Sequence, residues 1–212
     1  NVAGIKDKKS ISKQYVSAYK INKNKLEDLR IKDIKTHIVG YGNERIKLGQ
    51  IIRNQFNIVV RNLDKKHKKI DFIENYFDDQ RFGGRNHILG KALVKREFRK
   101  ACYMLRLKWK QGDYVNPLRH LGKRLLRFYI NAYQSILFNQ VLVLYLIKRY
   151  KNYKKVEYSQ GEFIFSNEEI ENKRIPFIGF LTEFKEKEIK ERYETLMKRD
   201  VITKDNFLIQ EI

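Results

Sequence analysis

From residue 119 to 150 the chain is apolar with a helical period, while Arg124, Arg127, Asn131 and Gln134 fall along one side. That pattern predicts a long buried helix with a polar seam. Upstream the period changes. Residues 14–20 alternate like a short strand, 24–30 read as a short helix, and 33–41, 44–52 and 55–62 read as three successive strands. Gly40-Tyr41-Gly42-Asn43 would turn the first strand into the second, and Arg53-Asn54 would link to the third. The run Phe56-Asn57-Ile58-Val59-Val60 is rich in β-formers and reads as a central strand. Residues 64–76 are expected to be helical with Ile70, Phe72 and Ile73 inward, and residues 86–109 helical with Leu89, Leu93, Cys102 and Leu105 inward. The stretch 111–117 reads as a linker and places a domain boundary after residue 116. Pro176 opens a new segment. Residues 181–198 form a solvent-facing helix with Glu183–Lys187, Glu186–Lys190 and Glu188–Arg192 at i,i+4 spacing. The expectation is an α+β chain, mixed in its first half and mostly helical in its second.

Charge changes the picture more than composition does. The net charge is +21. Residues 1–156 hold 37 Lys and Arg against 12 Asp and Glu, and residues 157–212 hold 9 against 13, so the first part carries +25 and the last −4. A lysine-rich compositional bias would raise lysine everywhere, yet the last quarter escapes it. A basic body of this kind attracts polyanions, phosphate backbones first among them.

Other classes fall away. Cys102 is the single cysteine, so no internal disulfide forms, which suits a cytoplasmic protein. The longest apolar stretch, 136–147, is broken by Asn139 and Gln140, and no membrane span is expected. His37, His67, His87 and His120 are scattered away from other ligand types, so no metal site is expected. No glycine-rich phosphate loop or nucleophile elbow is present.

Three constellations remain. In Gly4-Ile5-Lys6-Asp7-Lys8-Lys9-Ser10-Ile11-Ser12-Lys13-Gln14, an aspartate between lysines stays ionised. Alone it reads as a charged turn entering a strand, or as a carboxylate presented for nucleophilic work. Asn75-Tyr76-Phe77-Asp78-Asp79-Gln80-Arg81-Phe82-Gly83 is either a capped turn packing Phe77 and Phe82 or a base-stacking platform with polar groups alongside. The helix around Ala132-Tyr133-Gln134-Ser135-Ile136-Leu137-Phe138-Asn139 follows a basic stretch in which Arg119, His120, Lys123, Arg124 and Arg127 could grip phosphates.

Together, in order, these residues resemble the TruD family of tRNA pseudouridine synthases in its archaeal and eukaryotic form. Gly4-x-Lys6-Asp7-Lys8 with Ser12 and Gln14, Asn75-Tyr76-Phe77 with Gln80-Arg81-Phe82-Gly83, and Ala132-Tyr133-Gln134-Ser135 with Phe138-Asn139 each resemble a family signature. Leu48-Gly49 and Asn54-x-Phe56-x-Ile58-Val59-Val60-Arg61 look like the strand between the first two. The resemblance implies a pseudouridine-synthase catalytic domain with a mixed, largely antiparallel sheet over residues 1–116, and a mostly helical TruD-type inserted domain over 117–212. It implies isomerisation of uridine in tRNA, usually at position 13, with no metal or organic cofactor.

By motif position, Asp7 would be the catalytic aspartate, acting as a nucleophile or removing a ribose proton. Lys6 and Lys8 would hold it charged or contact phosphate. Phe77 would stack on the target base, with Asn75 and Arg81 beside it. Arg119, Lys123, Arg124 and Arg127 would contact RNA. Asp78 stands where the family has glycine. Both ends read as cut, since the chain opens on Asn1-Val2-Ala3-Gly4 without an initiator methionine and stops in the strand-like run 207–212. The family's N-terminal segment with a basic residue and its final catalytic segment are not among these 212 residues. Two other readings stand beside this one: a non-catalytic RNA-binding protein on the same scaffold, and a structural protein packed against ribosomal RNA.

Overall fold

The computed structural model describes residues 1–6, 10–65, 69–110 and 112–212. Its packing separates two compact units, residues 1–67 and 68–212.

In the first unit, helix α1 (Lys23–Glu27) starts where the Asn22 side chain accepts the Asn24 N–H at 2.9 Å. Three stretches are drawn together by the main chain. Val2 bridges Val16, the Ser17 N–H donates to the Asn1 carbonyl at 3.0 Å, and the Gly49 N–H donates to the Ala3 carbonyl at 2.7 Å. The strands expected at 33–41, 44–52 and 55–62 are not formed among the described residues. Their β-formers stay exposed, with Ile52 at 99%, Ile58 at 77% and Val59 at 72%. A β-forming run becomes a strand only with a neighbour to pair with and a face to bury, and these runs have neither within the unit.

The second unit is built around α6 (Lys123–Arg149), close to its expected bounds. Among the described residues α6 is the one helix long and apolar enough to cross a membrane, but its apolar face is spent inside the fold. Leu137, Val141 and Tyr145 pack with Ile189, Tyr193, Leu196 and Met197 of α7 (Lys187–Asp200). Each such aliphatic side chain is worth roughly 1.5–3 kcal/mol in apolar burial. On another side, α3 (Asn86–Val94) approaches closely at Gly90, where any side chain would collide with the Tyr129 carbonyl. A second apolar cluster joins Leu89, Leu93, Ala101, Cys102, Leu118 and Leu126. These residues come from α3, α4 (Phe98–Met104), α5 (Val115–Arg119) and α6. Helices α3, α4 and α5 therefore pack with α6 within this unit.

The helix expected over 86–109 is two helices. Arg96 takes a left-handed φ of 59°. The Glu97 N–H then reaches back to the Ala92 carbonyl at 2.8 Å and the Arg96 N–H to Leu93 at 3.0 Å, closing α3 with a Schellman turn. α7 begins at Lys187, six residues after the expected start. Of the expected pairs Glu188–Arg192 forms at 2.8 Å, whereas Glu186 turns to Lys173 at 2.5 Å.

The one sheet among the described residues is an antiparallel hairpin of β1 (Tyr153–Tyr158) and β2 (Gly161–Ser166), with Tyr158 opposite Gly161 and Tyr153 opposite Ser166. The outer edge of β2 explains why the described residues 69–76 of the helix expected over 64–76 are not helical. The Tyr76 hydroxyl donates to the Ile164 carbonyl at 3.0 Å and accepts its N–H at 3.2 Å, and the Glu74 carboxylate accepts the Ser166 N–H at 2.7 Å. Side chains thus satisfy an edge that another strand would otherwise pair. The class is α+β, with a smaller sheet than expected.

Candidate functional site

Two motifs separated by about fifty residues meet in the second unit. Phe77 lies against α6, where its N–H donates to the Asn139 side-chain oxygen at 3.0 Å and its carbonyl accepts the Asn139 amide at 2.7 Å. Asn139 is buried, so its amide serves Phe77 as a fixed peptide-like partner. The Phe77 ring meets Phe138 edge-on at 5.5 Å and Phe177 at 5.6 Å. The Arg81 guanidinium lies 5.0 Å from the ring centroid, a cation–π arrangement.

The turn that sets this geometry is local. Asp78 is extended at φ −103°, and its carboxylate accepts the Asp79 N–H at 2.7 Å, capping α2 (Asp79–Phe82). Glycine is not required at that φ, so the departure from the family pattern is accommodated and contributes a cap. At the other end Gly83 closes α2 with φ 47°. There a Cβ would stand 2.5 Å from the Asn86 amide nitrogen.

The third motif is chiefly framework. The Tyr133 hydroxyl donates to the buried Asp200 carboxylate at 2.7 Å, the Gln134 amide donates to the Ile178 carbonyl, and the Ser135 hydroxyl donates to the Asn131 carbonyl at 2.7 Å. The Ile178 bond fixes the segment that carries Phe177. Burial works to raise the Asp200 carboxyl, but hydrogen bonds from Arg199, Lys91 and Tyr133 outweigh it and hold its pKa below the ordinary value.

An aromatic stack extends the cluster. Tyr158 lies on Phe163 at 3.9 Å and 13°, and Tyr76 lies on Phe163 at 4.6 Å. Burial pushes the hydroxyls of Tyr76 and Tyr158 up, in Tyr158 against the Asn139 amide and with help from Asp79 and Asp78. Both phenols stay protonated at neutral pH. The Asp79 carboxylate is engaged by the Ser159 hydroxyl. The cluster can therefore hold, stack and hydrogen-bond a flat ligand.

The expected site residues fall as follows. Asn75 is exposed beside Phe77, while Phe77 and Arg81 are half-buried and in contact. Arg119, Lys123, Arg124 and Arg127 are all exposed around the start of α6. Arg119 donates to the Glu211 carbonyl at 2.8 Å, whereas no described carboxylate lies within ion-pair distance of the other three. In the first unit Lys6 donates to Asn54 at 3.0 Å, joining the first motif to the start of the stretch 54–61. Asp7 and Lys8 lie outside the described residues. Sequence reasoning missed Asn139 as a positioning residue, and it missed Phe177 and Tyr158. Asn139 stood in a quoted motif, and Tyr158 lies in the unforeseen hairpin.

Comparison with known proteins places the chain in a family. The family model described as tRNA pseudouridine synthase D (TruD) matches residues 1–108 and 102–174. Among curated relatives, tRNA pseudouridine synthase D of Aquifex aeolicus is 26% identical, over 84% of this chain and 62% of its own length. The probable tRNA pseudouridine synthase D of Nanoarchaeum equitans is 29% identical over 95% and 64%, and that of Thermococcus onnurineus 31% over 69% and 47%. The chain thus spans about half to two-thirds of the length of these relatives. No solved structure matches it. With the family model matching most of its length, the chain belongs to the TruD family of tRNA pseudouridine synthases.

Proposed function

We propose that this chain takes part in converting uridine to pseudouridine in tRNA, at position 13 by the family's habit, in the cytoplasm. The observation that carries this reading is the meeting of Phe77 and Asn139, which gives the Asn75–Gly83 motif a fixed aromatic platform. The names of the relatives supply the reaction.

In that reaction the C1′–N1 bond of uridine breaks, the base turns, a C1′–C5 bond forms, the C5 proton leaves and N1 gains one. A base must leave its stack before side chains reach the glycosidic bond. Phe77 would receive it, with Arg81 displaced from the ring or stacking on the base's far side, and Asn75 donating at its edge. Asp7 would supply the carboxylate, with Lys6 and Lys8 keeping it ionised. Arg119, Lys123, Arg124 and Arg127 would hold backbone phosphates. The mixed, largely antiparallel sheet and the inserted domain over 117–212 belong to the same proposal.

Release of tritium from tRNA carrying C5-labelled uridine tests it. Wild type should release label, and Asp7→Ala should not. Release that survives Asp7→Ala would overturn the assignment of the carboxylate. Salt-sensitive RNA binding without release from wild type would favour the non-catalytic RNA-binding reading.

A further inference from the structure

A groove of about 760 Å³ opens beside α4, and the proposed chemistry makes no use of it. Phe98, Tyr103, Trp109 and Tyr114 line it together with Arg99 and Lys100. Tyr103 is 75% exposed and Trp109 37%, and with Phe98 and Tyr114 they line one groove.

The sequence builds the groove from a second helix stop. Arg106 takes φ 53°, and the Leu107 N–H reaches the Cys102 carbonyl at 3.0 Å, so the chain reverses after α4. Lys110 then bridges Asp113, which sets the Trp109 and Tyr114 rings 5.9 Å apart at 57°. Tyr114 is tied back to α4 by the Cys102 thiol, which donates to its carbonyl at 3.3 Å. The aromatic walls are therefore held by main-chain geometry.

The surrounding charge is one-sided. Residues 91–110 contain eight Lys and Arg and one acid, Glu97. Glu97 also lines the groove, and its carboxylate is already paired with Lys95 at 3.3 Å and Lys100 at 3.1 Å. No described carboxylate lies within ion-pair distance of Arg99, Arg106, Lys108 or Lys110. Asp113 is engaged by Asn116, whose main chain and side chain donate at 3.1 and 2.7 Å. Exposed rings beside uncompensated cations match a polyanion that also offers flat faces. A duplex would present its phosphates and leave the rings unused, whereas unpaired nucleotides use both.

We propose that this groove binds unpaired nucleotides of the RNA substrate, with bases stacked on Trp109 and Tyr103 and phosphates on Arg99 in its wall and on Lys108 and Lys110, which flank Trp109 in the chain. It shares no residue with the Phe77 cluster. The proposal rests on the reading of the chain as acting on RNA.

Trp109 is the one tryptophan among the 212 residues, so its emission reports on the groove. An oligouridylate of about a dozen nucleotides is titrated into the chain, following tryptophan emission and, with end-labelled RNA, anisotropy. Saturable quenching is expected. Trp109→Ala should weaken binding by about fivefold or more, and Trp109→Phe should restore most of it. Lys108→Gln with Lys110→Gln should flatten the salt dependence by about one and a half units of slope. RNA binding with unchanged emission, and with full affinity in Trp109→Ala, would overturn the groove while leaving the RNA reading intact. An equal response to polyglutamate would overturn it in favour of an acidic protein partner. No RNA binding at all would remove the RNA reading beneath it.

Discussion

Replacing Asn139 by alanine removes both partners of the Phe77 main chain while leaving the Phe77 side chain untouched. The two hydrogen bonds lost are 3.0 and 2.7 Å long, and Asn139 itself is 1% exposed. Each such bond is worth about 1 kcal/mol net, and a buried group left without a partner costs about 1–3 kcal/mol. Phe77 is half-buried, so water recovers part of that loss, and the expected destabilisation is about 2–4 kcal/mol. For a unit of this size that lowers the melting temperature by roughly 6–15 °C. Urea unfolding followed by circular dichroism measures the cost. The clamp acts on the main chain, so most of it should persist in a Phe77→Leu background, where the ring contacts with Phe138 and Phe177 are already altered. A loss below about 1 kcal/mol, or a cost that disappears in Phe77→Leu, would refute the clamp and leave Asn139 as ordinary packing.

Two further outcomes follow from the same unit. Asp200→Asn loses ion pairs with Lys91 at 2.8 Å and Arg199 at 3.0 Å and should cost about 2 kcal/mol at neutral pH. Because the folded-state pKa is depressed, wild type holds this advantage above the ordinary aspartate value of 3.8 and loses it as pH falls through the lower folded value, so the two unfolding curves should converge in acid. Val201 occupies a left-handed φ of 57° at the end of α7, where the Ile202 N–H reaches the Met197 carbonyl. Val201→Gly should therefore stabilise by about 0.5–1 kcal/mol, the relief of strain less the entropy of glycine, and thermal melts would show it.

Long-period features were legible in the sequence, and features made by tertiary pairing were not. The apolar period of residues 119–150 required a buried helix, and α6 occupies Lys123–Arg149. The same kind of reading failed at 69–76, because its apolar spacing suits a helix while Glu74 and Tyr76 are drawn to the edge of β2, about ninety residues away. It failed at 33–62 for the converse reason: Ile52, Ile58 and Val59 have the right composition and no partner within the unit. The break at Arg96 was hidden because left-handed turns are normally announced by glycine, and here arginine takes that place. Its guanidinium is held by Glu211 at 2.7 Å and the Leu208 carbonyl at 3.0 Å. The hairpin did carry a signal, two β-forming runs around Ser159-Gln160-Gly161, which the surrounding charge obscured. In the candidate site the motif residues were all quotable from sequence, but their division of labour was not. Tyr133, Gln134 and Asn139 spend their polar groups on the protein itself.

That division bears on where the chemistry comes from. Around Phe77 the phenols of Tyr76 and Tyr158 are held protonated, Asp78 is spent on a helix cap, and Asp79 is engaged by Ser159. On the proposed reading this cluster positions the base, and the carboxylate that reacts is Asp7. Substitutions should then divide by kinetic signature. Arg81→Ala removes a cation 5.0 Å from the platform ring and should raise KM with kcat nearly unchanged, since it is expected to lose contact with ground state and transition state alike. Asp7→Glu and Asp7→Asn should retain tRNA affinity and lose kcat. If Arg81→Ala instead lowered kcat with KM intact, the Phe77 cluster would be contributing to the transition state itself, and the assignment of binding to one motif and chemistry to another would fail.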